Sequence, residues 1–152
     1  MIDKQLAAFL EEGLSTHIAT RDAALDSHAA RVVAVSVEPD GRHLVAYVPE
    51  AAAPQVLPDL EANGQVALVF ARPTDERGCQ VKGVYTGARA GEASERERVG
   101  AQWERFRDVL DLVGVPHRAS ASWIAWPVVA IRLRVTALFN QTPGPGAGAP
   151  LR

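Results

Sequence analysis

The sequence predicts a mainly β protein in which six strands curl into a small antiparallel barrel with flanking helices. The predicted strands are runs rich in Val, Ala, Leu and Thr, and short turns join them. Helical patterns are few, which argues against the regular alternation of strands and helices that builds a parallel sheet. At 152 residues the chain fits one domain, and folding hides roughly 70% of the surface of an unfolded chain of this size.

The first half of the chain contains a short helix, a strand and a hairpin. Residues 3–12 have apolar side chains at helical spacing, and Gly13 ends the pattern. Residues 14–22 are predicted to form a strand. The turn sequence Glu-Pro-Asp-Gly then separates two β-rich runs. It predicts a hairpin between residues 31–37 and residues 43–48.

The middle of the chain combines a broken helix with two strands. Residues 49–64 have a helical pattern, in which Pro58 predicts a kink or two short helical turns. Residues 65–71 carry few charges, which favours a central strand. A long strand is predicted over residues 79–93, and two of its glycines indicate bulges or a bend, Gly83 and Gly87.

The clearest helix is predicted over residues 94–114, where Ser94 and Glu97 form a capping box. Its apolar face is expected to be buried, including the aromatic pair Trp103 and Phe106. A last strand follows at residues 126–139. We therefore predict one domain over residues 1–139 and a Gly- and Pro-rich tail over residues 140–152, which either wraps a surface or is disordered.

The charge of the chain is nearly balanced, with 16 basic and 18 acidic residues and a net charge of −2. This balance gives no basis for a nucleic-acid partner or an acidic membrane surface. Since Cys79 is the only cysteine, no intrachain disulfide can form. No leader pattern opens the sequence, and no run approaches the ~20 apolar residues that cross a bilayer, so we expect no membrane partner and a cytoplasmic protein.

Sequence patterns typical of common catalytic sites are missing. The chain has no G-x-S-x-G, no H-E-x-x-H, no paired cysteines and no Walker loop. Its four histidines stand singly, none has a carboxylate four residues away, and a metal site would require folding to gather them. We therefore predict no metal site from the sequence, and we leave the catalytic residues unassigned.

The order of elements and three stretches resemble the FMN-binding split barrel, the family of pyridoxamine 5′-phosphate oxidase and its relatives. The stretches are "RVVAVSV", "GRHLVAYV" leading into "PEAAAPQVLPDLEANGQVALVF", and "RPTDERGCQVKG". The most specific motif is L-x-x-N-x-x-V-A-L-x-F, which runs from Leu60 to Phe70. The resemblance implies a six-stranded antiparallel split β-barrel that forms a homodimer, with FMN in a cleft between the subunits. It also implies a flavin-dependent oxidoreductase acting on a small molecule.

The resemblance places the cofactor against three strands. The backbone of the Arg-x-Val segment usually meets the flavin ring and phosphate, and the end of the next strand flanks the cofactor. A glutamine in the strand after the loop usually bonds the ring; the ungapped position falls on Gly78, and Gln80 lies on the same strand face. Lys82 shares that face and is predicted as a second cation. The predicted cofactor-binding residues are Arg31, Val32, Val33, Ala34, Tyr47, Val48, Gln80 and Lys82.

The segment that holds the phosphate in this family usually carries Ser, Arg and Lys, whereas residues 53–56 are Ala, Pro, Gln and Val. Two missing charge-assisted hydrogen bonds, at roughly 1.5–3 kcal/mol each, would weaken binding by about two to four powers of ten. The bare helix N-terminus predicted there attracts anions, but Glu50 places a like charge in its first turn. Three arginines are candidate replacements: Arg31, Arg21 and Arg72.

Other interpretations stay open. In one alternative, the ligand is not FMN but another flavin, a deazaflavin or haem. In a second, the protein binds a cofactor without catalysing a reaction. In a third, the protein is a degenerate dimeric scaffold whose cleft is empty. Single residues also have structural alternatives. Arg31 is then a solvated strand-end charge, Tyr47 packs across strands, and Lys82 discourages aggregation at an edge strand. Trp123 and Trp126 are predicted to fill a dimer interface.

Overall fold

The structure is a computed structural model that describes residues 1–123 and 125–151. Its helices are α1 (Lys4–Leu10), α2 (Leu57–Asn63) and α3 (Arg96–Leu112). Its strands are β1 (Ser15–Arg21), β2 (Ser27–Val32), β3 (Ala34–Val37), β4 (His43–Pro49), β5 (Gln65–Ala71), β6 (Gly78–Ala90) and β7 (Val128–Asn140). Single 3₁₀ turns lie at Ala53–Gln55, Ala93–Glu95 and His117–Ser120.

The strands form one antiparallel sheet in the order β2-β1-β5-β6-β7-β4-β3. The two edge strands, β2 and β3, follow each other in the chain and are separated only by Val33. The N–H of Val33 donates to the carbonyl of Tyr47 at 2.9 Å, which brings the end of β2 against β4. The sheet therefore curls until its two edges meet, and the predicted mainly β split barrel is confirmed.

The described residues form seven strands, where we predicted six. The additional strand is β2, because residues 27–32 pair with β1 as a separate antiparallel strand. The predicted hairpin strand over residues 31–37 breaks at Val33 for the same reason. Only Ala34–Val37 pairs with β4, while Arg31 and Val32 belong to the strand before the break.

The sheet has two apolar layers, one inside the barrel and one between the barrel and α3. The inner layer is built by alternate residues of the strands, among them Ile18, Leu68, Val81 and Leu133, all fully buried. On the outside, α3 packs its apolar face against β3, β4 and β7. As predicted, Trp103 and Phe106 are buried there, beside Val33, Ala34, Tyr47 and Ala130.

Two helix predictions need correction. Residues 49–64 do divide into two short helical pieces, as Pro58 predicted, but the break lies at Val56: a 3₁₀ turn at Ala53–Gln55 precedes the separate helix α2, which has Pro58 in its first turn. The predicted capping box of Ser94 and Glu97 is replaced by one that Glu92 and Glu95 form two residues earlier, around the 3₁₀ turn that precedes α3. Our predicted start of the helical region was therefore too late in the chain, because we did not foresee this 3₁₀ turn.

The irregularities of β6 lie where its glycines predicted them. The pairing register of β6 with β7 shifts between Lys82 and Gly83 and again between Tyr85 and Gly87. Beyond β7 the tail folds back, because Leu151 N–H donates to the carbonyl of Leu138 at 2.8 Å. The last tail residue, Arg152, lies outside the described residues. Across the described part of the chain, no helix combines the length and apolar character that crossing a membrane requires.

Candidate functional site

Helix α3 packs against β3, β4 and β7, so much of the outer side of β2, β1, β5 and β6 stays open; at the β2 end, however, Phe106 of α3 lies over Arg31. We call this outer side the open surface. The side chains that point outward here include Ala19, Ala29 and Lys82, all exposed. Val69 on β5 is 41% exposed, although it is a large apolar residue in the centre of the sheet. An exposed apolar surface bordered by polar groups is typical of a binding site rather than of ordinary protein surface.

The register of the strands arranges this surface in two rows. In the first, which we call the outer row, Arg31 lies opposite His17, His17 opposite Val69, Val69 opposite Gln80, and Gln80 opposite Phe139. Since neighbouring strands lie about 4.8 Å apart, the outer row is roughly 19 Å long.

The second row, which we call the alanine row, lies two residues further along each strand. It consists of Ala29, Ala19, Ala67, Lys82 and Ala137. The small methyl side chains of the alanines make the surface shallow beside the outer row. The longer side chain of Lys82 projects from it, and its Nζ lies 5.2 Å from the centre of the Phe139 ring. Together the two rows form a largely apolar surface, and the polar side chains of Arg31, His17 and Gln80 lie along the outer row.

Arg31 lies at one end of the outer row, beneath two aromatic rings. Its Cζ is 4.7 Å from the centre of the Trp123 ring and 5.7 Å from that of Phe106. Burial lowers the pKa of the Arg31 guanidinium. Among residues 1–123 and 125–151, Arg31 Nη1 is the one buried side-chain nitrogen or oxygen without a hydrogen-bond partner. A buried charged donor left without an acceptor is costly, so this atom is suited to an anionic ligand.

A cavity of about 440 Å³ opens beside Arg31. Its other side is the segment that follows β4, including Ala51, Ala52 and Gln55, and Ser122 and Trp123 complete the wall. Arg31 is the only cation among the described residues that line this cavity. Part of the segment that the sequence indicated for the phosphate therefore lines this cavity, but the cation comes from β2, which lies across the cavity.

The segment after β4 does not present the helix N-terminus that we predicted. Its only regular structure before α2 is the three-residue turn Ala53–Gln55. The N–H of Glu50 donates to the carbonyl of Pro127 at 3.0 Å and is therefore not free for a ligand. The expected helix-dipole attraction for a phosphate is wrong, since a turn of this length has no appreciable macrodipole.

Several predicted cofactor residues have side chains that point away from the open surface. Val32 and Val48 are 2% and 0% exposed inside the barrel, and Val33 and Ala34 are buried beneath α3. For these residues only the backbone is left to meet a ligand, which is the role that the family resemblance implied. That role stays a prediction.

Tyr47 is also held away from the open surface. It is 1% exposed, and its hydroxyl donates to Glu95 Oε1 at 2.7 Å and accepts from Arg98 Nη2. Burial, and then the hydrogen bond to Glu95, raise the pKa of Tyr47 to about 12. The phenol is therefore a neutral group between β4 and α3, whereas the alternative that we gave for Tyr47 was packing across strands.

Gln80 and Lys82 do share the outward face of β6, as predicted. Gln80 is partly exposed in the outer row, and Lys82 is exposed in the alanine row. The alternative of an edge-strand lysine is wrong, because β6 pairs with β5 on one side and β7 on the other. Both polar groups are therefore presented in the middle of the sheet.

The other two arginines considered as replacements for the missing basic residues of the phosphate segment, Arg72 and Arg21, have partners elsewhere. Arg72 binds both carboxylate oxygens of Glu12, at 2.7 and 2.9 Å, and Asp75 at 2.8 Å. These hydrogen bonds raise its pKa, those with Glu12 most. Arg21 lies at the far end of β1, where its Nη1 donates to the carbonyl of Asp22 at 3.3 Å.

The sequence analysis missed His17, which lies next to Arg31 in the outer row. Burial lowers the pKa of His17, and the charge of Arg31 lowers it further. Alternation along β1 already placed His17 on the face opposite Ile18. The neighbour could not be foreseen, because the pairing of β1 with β2 brings Arg31 opposite His17 and β2 was not predicted.

Folding also gathers three groups that could ligate a metal ion, Glu38, Asp40 and His43 in the turn between β3 and β4. Their ligand atoms lie within 4.8 Å of one another. However, Glu38 already binds Arg132 through two bonds of 2.7 and 2.8 Å. Hydrogen bonds from the N–H of Arg42, and then from His43, lower the pKa of Asp40 to about 2. We interpret this cluster as a stabilised turn.

Comparisons with solved structures place this architecture among split-barrel proteins. HupZ from Group A Streptococcus matches with a TM-score of 0.58 and 15% identity, over 98% of this chain and 99% of that chain. An FMN-binding protein from Syntrophomonas wolfei matches with a TM-score of 0.57 and 12% identity, over 93% and 90%. A candidate pyridoxamine 5′-phosphate oxidase from Lactobacillus delbrueckii matches with a TM-score of 0.54 and 14% identity, over 91% and 93%.

At these identities the likeness establishes the fold, which is that of the pyridoxamine 5′-phosphate oxidase-like split barrel. No protein-family model matches the sequence. No curated protein matches it either. The choice of ligand and reaction therefore depends on the residues of the open surface.

Proposed function

We propose that this protein binds FMN on the open surface, with the phosphate at Arg31, and acts as a flavin-dependent oxidoreductase. The observation that carries the proposal is the buried Nη1 of Arg31, which lacks an acceptor among the described residues. Arg31 also belongs to the lining of a cavity of about 440 Å³. The FMN-binding protein from Syntrophomonas wolfei has the same fold, which supports this choice of cofactor.

The donor set of the open surface fits a flavin nucleotide in three respects. A guanidinium with an unpaired N–H is suited to phosphate oxygens. The side-chain amide of Gln80 offers both a donor and an acceptor, as the alternating polar edge of a flavin ring requires. The alanine row adds a low apolar surface on which a flat ring system can lie, and Lys82 adds a cation at its border.

The residues around Arg31 predict a modest affinity for FMN. Arg31 is the only cation among the described residues that line the cavity, whereas a phosphate site with three charged or hydroxyl side chains has further charge-assisted hydrogen bonds. Each such bond contributes roughly 1.5–3 kcal/mol. We therefore expect FMN to exchange readily with the solution.

In an oxidoreductase of this kind the flavin supplies the redox chemistry, and the protein supplies binding and orientation. Here Arg31 would hold the phosphate, while Trp123 and Phe106 keep water from the guanidinium. Gln80 would orient the ring through its amide. No acid or base side chain is required for these roles, so the missing catalytic motifs do not oppose the proposal.

The experiment combines the absorbance spectrum of the purified protein with titration of FMN by calorimetry. We expect a flavin spectrum or measurable binding for the wild type. Arg31→Ala should raise the Kd for FMN by about 10- to 100-fold, since it removes a charge-assisted hydrogen bond. The matched control is Arg21→Ala, which removes an exposed arginine from the neighbouring strand β1 and should leave the Kd unchanged.

An identical Kd for Arg31→Ala and wild type would show that the phosphate site is elsewhere, and an absence of FMN binding would refute the cofactor. Oxidation of NADH or NADPH by the FMN-loaded protein separates an oxidoreductase from a flavin carrier. Replacing FMN with a deazaflavin or haem in the same titration tests the other cofactors that the resemblance left open.

We also propose that two copies of the chain meet across the open surface, so that the flavin lies at the seam between them. The exposure of Val69 and the small side chains of the alanine row support this arrangement. The small-molecule substrate would then reach the flavin from the edge of the interface.

A further inference from the structure

His17 is the residue of the open surface that neither the sequence motifs nor the proposed function uses. It lies directly opposite Arg31 in the pairing of β1 with β2, and both side chains point to the outer face. The imidazole is half-buried between the strand of Arg31 and that of Val69. The charge of Arg31 reaches the imidazole, since it lowers the pKa of His17, although His17 is not among the described residues that line the cavity beside Arg31.

The surroundings of His17 keep the imidazole neutral when no anion is near. Burial lowers its pKa, and repulsion from Arg31 lowers it further. An anion paired with Arg31 cancels that repulsion and adds an attraction, and both effects favour the charged imidazole. Anion binding and protonation of His17 are then linked, and each promotes the other.

Resting on the proposed function, we propose that His17 is a second, proton-dependent cation of the phosphate site. When a phosphate monoester binds at Arg31, the imidazole takes up one proton from the solvent and the phosphate keeps its own charge. The site thus gains a cation that replaces a missing basic side chain of the phosphate segment, and it has this cation only while the ligand is bound.

No other charged group of the described residues shifts the pKa of His17. The facing residue on β5 is Val69, and the residue of α3 closest to Arg31 in this region is Phe106, both uncharged. The charged neighbours of Phe106 along α3 are bound elsewhere. Arg105 donates to the carbonyl of Glu12, and Arg107 donates to Glu104.

The test is calorimetric titration of FMN in buffers that differ in ionisation enthalpy, which gives the number of protons taken up on binding. Wild type should take up protons on binding at about pH 6–7, beyond any exchanged by the FMN phosphate, which itself titrates near pH 6. His17→Gln should lose this uptake, and its Kd for FMN should exceed that of wild type by about 10-fold near pH 6 but not at about pH 8.5.

Two controls make the result specific. His28→Gln changes an exposed histidine on β2 that is bonded to Asp59, and its proton uptake on FMN binding should equal that of wild type. Riboflavin, which has the ring but no phosphate, should bind without proton uptake by His17. His17→Asn provides a second neutral replacement in case the glutamine variant unfolds.

FMN binding with equal proton uptake in wild type and His17→Gln would overturn the role of His17 and leave the proposed function intact. Failure of both FMN and riboflavin to bind would overturn the proposed function, and the role of His17 with it. Protonation that occurs equally with riboflavin would also contradict the inference, because the phosphate would then not be its cause.

Discussion

Gln102 shows how one side chain completes the edge of the sheet. It lies on α3 and is 4% exposed, and its amide forms two hydrogen bonds with the backbone of Val35 on the edge strand β3. Its Oε1 accepts from Val35 N–H at 3.0 Å, and its Nε2 donates to Val35 carbonyl at 2.7 Å. The amide therefore takes the place of a neighbouring strand.

We expect Gln102→Ala to lower the free energy of unfolding by about 2–4 kcal/mol, because it leaves two buried backbone groups of Val35 unpaired. Urea unfolding followed by circular dichroism measures the effect. Gln65→Ala, at an exposed position on β5, is the control and should change stability by less than about 0.5 kcal/mol. Equal stability of the two variants would show that water replaces the amide at Val35.

A second buried polar group, Asp59 on α2, connects this helix to the strands β1 and β2. It is 6% exposed, accepts from Thr20 Oγ1 at 2.6 Å and lies 2.9 Å from His28 Nδ1. The hydrogen bond with Asp59 raises the pKa of His28, and those from Thr20 and His28 lower the pKa of Asp59.

The stability that this pair contributes should depend on pH. The contribution of His28 is complete below its ordinary pKa of about 6.5 and is lost as the pH rises through the raised value. That of Asp59 is present above about 3.9 and is lost as the pH falls through the lowered value. We expect the Tm of wild type to exceed that of His28→Asn most at about pH 5–6, and the difference to shrink by about pH 8.5. A difference that grows with pH would contradict the link.

Among the strands, β6 depends on glycine where its pairing with β7 shifts. A Cβ at Gly83 would lie 2.6 Å from Leu133 Cδ1 and 2.7 Å from the carbonyl oxygen of Arg134. Real side chains do not pack this closely, so β7 can approach β6 at the bulge only because residue 83 has no side chain.

Gly83→Ala should therefore destabilise the protein by about 1–3 kcal/mol through overpacking. Gly100→Ala is the matched control, because Gly100 lies within α3 and an added Cβ there has no neighbour within 4 Å. That substitution should raise stability by about 0.5–1 kcal/mol, since alanine favours the helix. Thermal unfolding of both variants gives the comparison, and a neutral effect at Gly83 would mean that the two strands separate locally at little cost.

For the whole molecule, the open surface decides the state of assembly. We expect sedimentation velocity to give a mass of twice the 16.3 kDa of the chain. Val69→Asp places a charge in the centre of the proposed interface and should give the mass of a single chain. Leu112→Asp is the control, because Leu112 is 77% exposed on α3 and belongs to neither row of the open surface. A wild-type monomer, or a Val69→Asp dimer, would show that two copies do not meet here.

The local elements of the barrel were largely predictable from the sequence. Five of the strand segments, the buried face of α3 and the irregularities of β6 follow from neighbouring residues, because side-chain period and turn chemistry are local properties. The family resemblance added Arg31, Gln80 and Lys82, whose side chains do reach the open surface. The separate strand β2 escaped prediction, since residues 22–30 carry no clear alternation.

The tertiary structure alone decided which of these residues are neighbours. Alternation along a strand decides whether a side chain points outward. Which residue lies opposite it, however, depends on the pairing register with another strand that is distant in the sequence. In this way Arg31 came to face His17 and the cavity at Ala51 and Ala52, and Tyr47 was taken into the core by Glu95 and Arg98. The fold class is thus contained in the local pattern, whereas the site depends on the closure of the sheet.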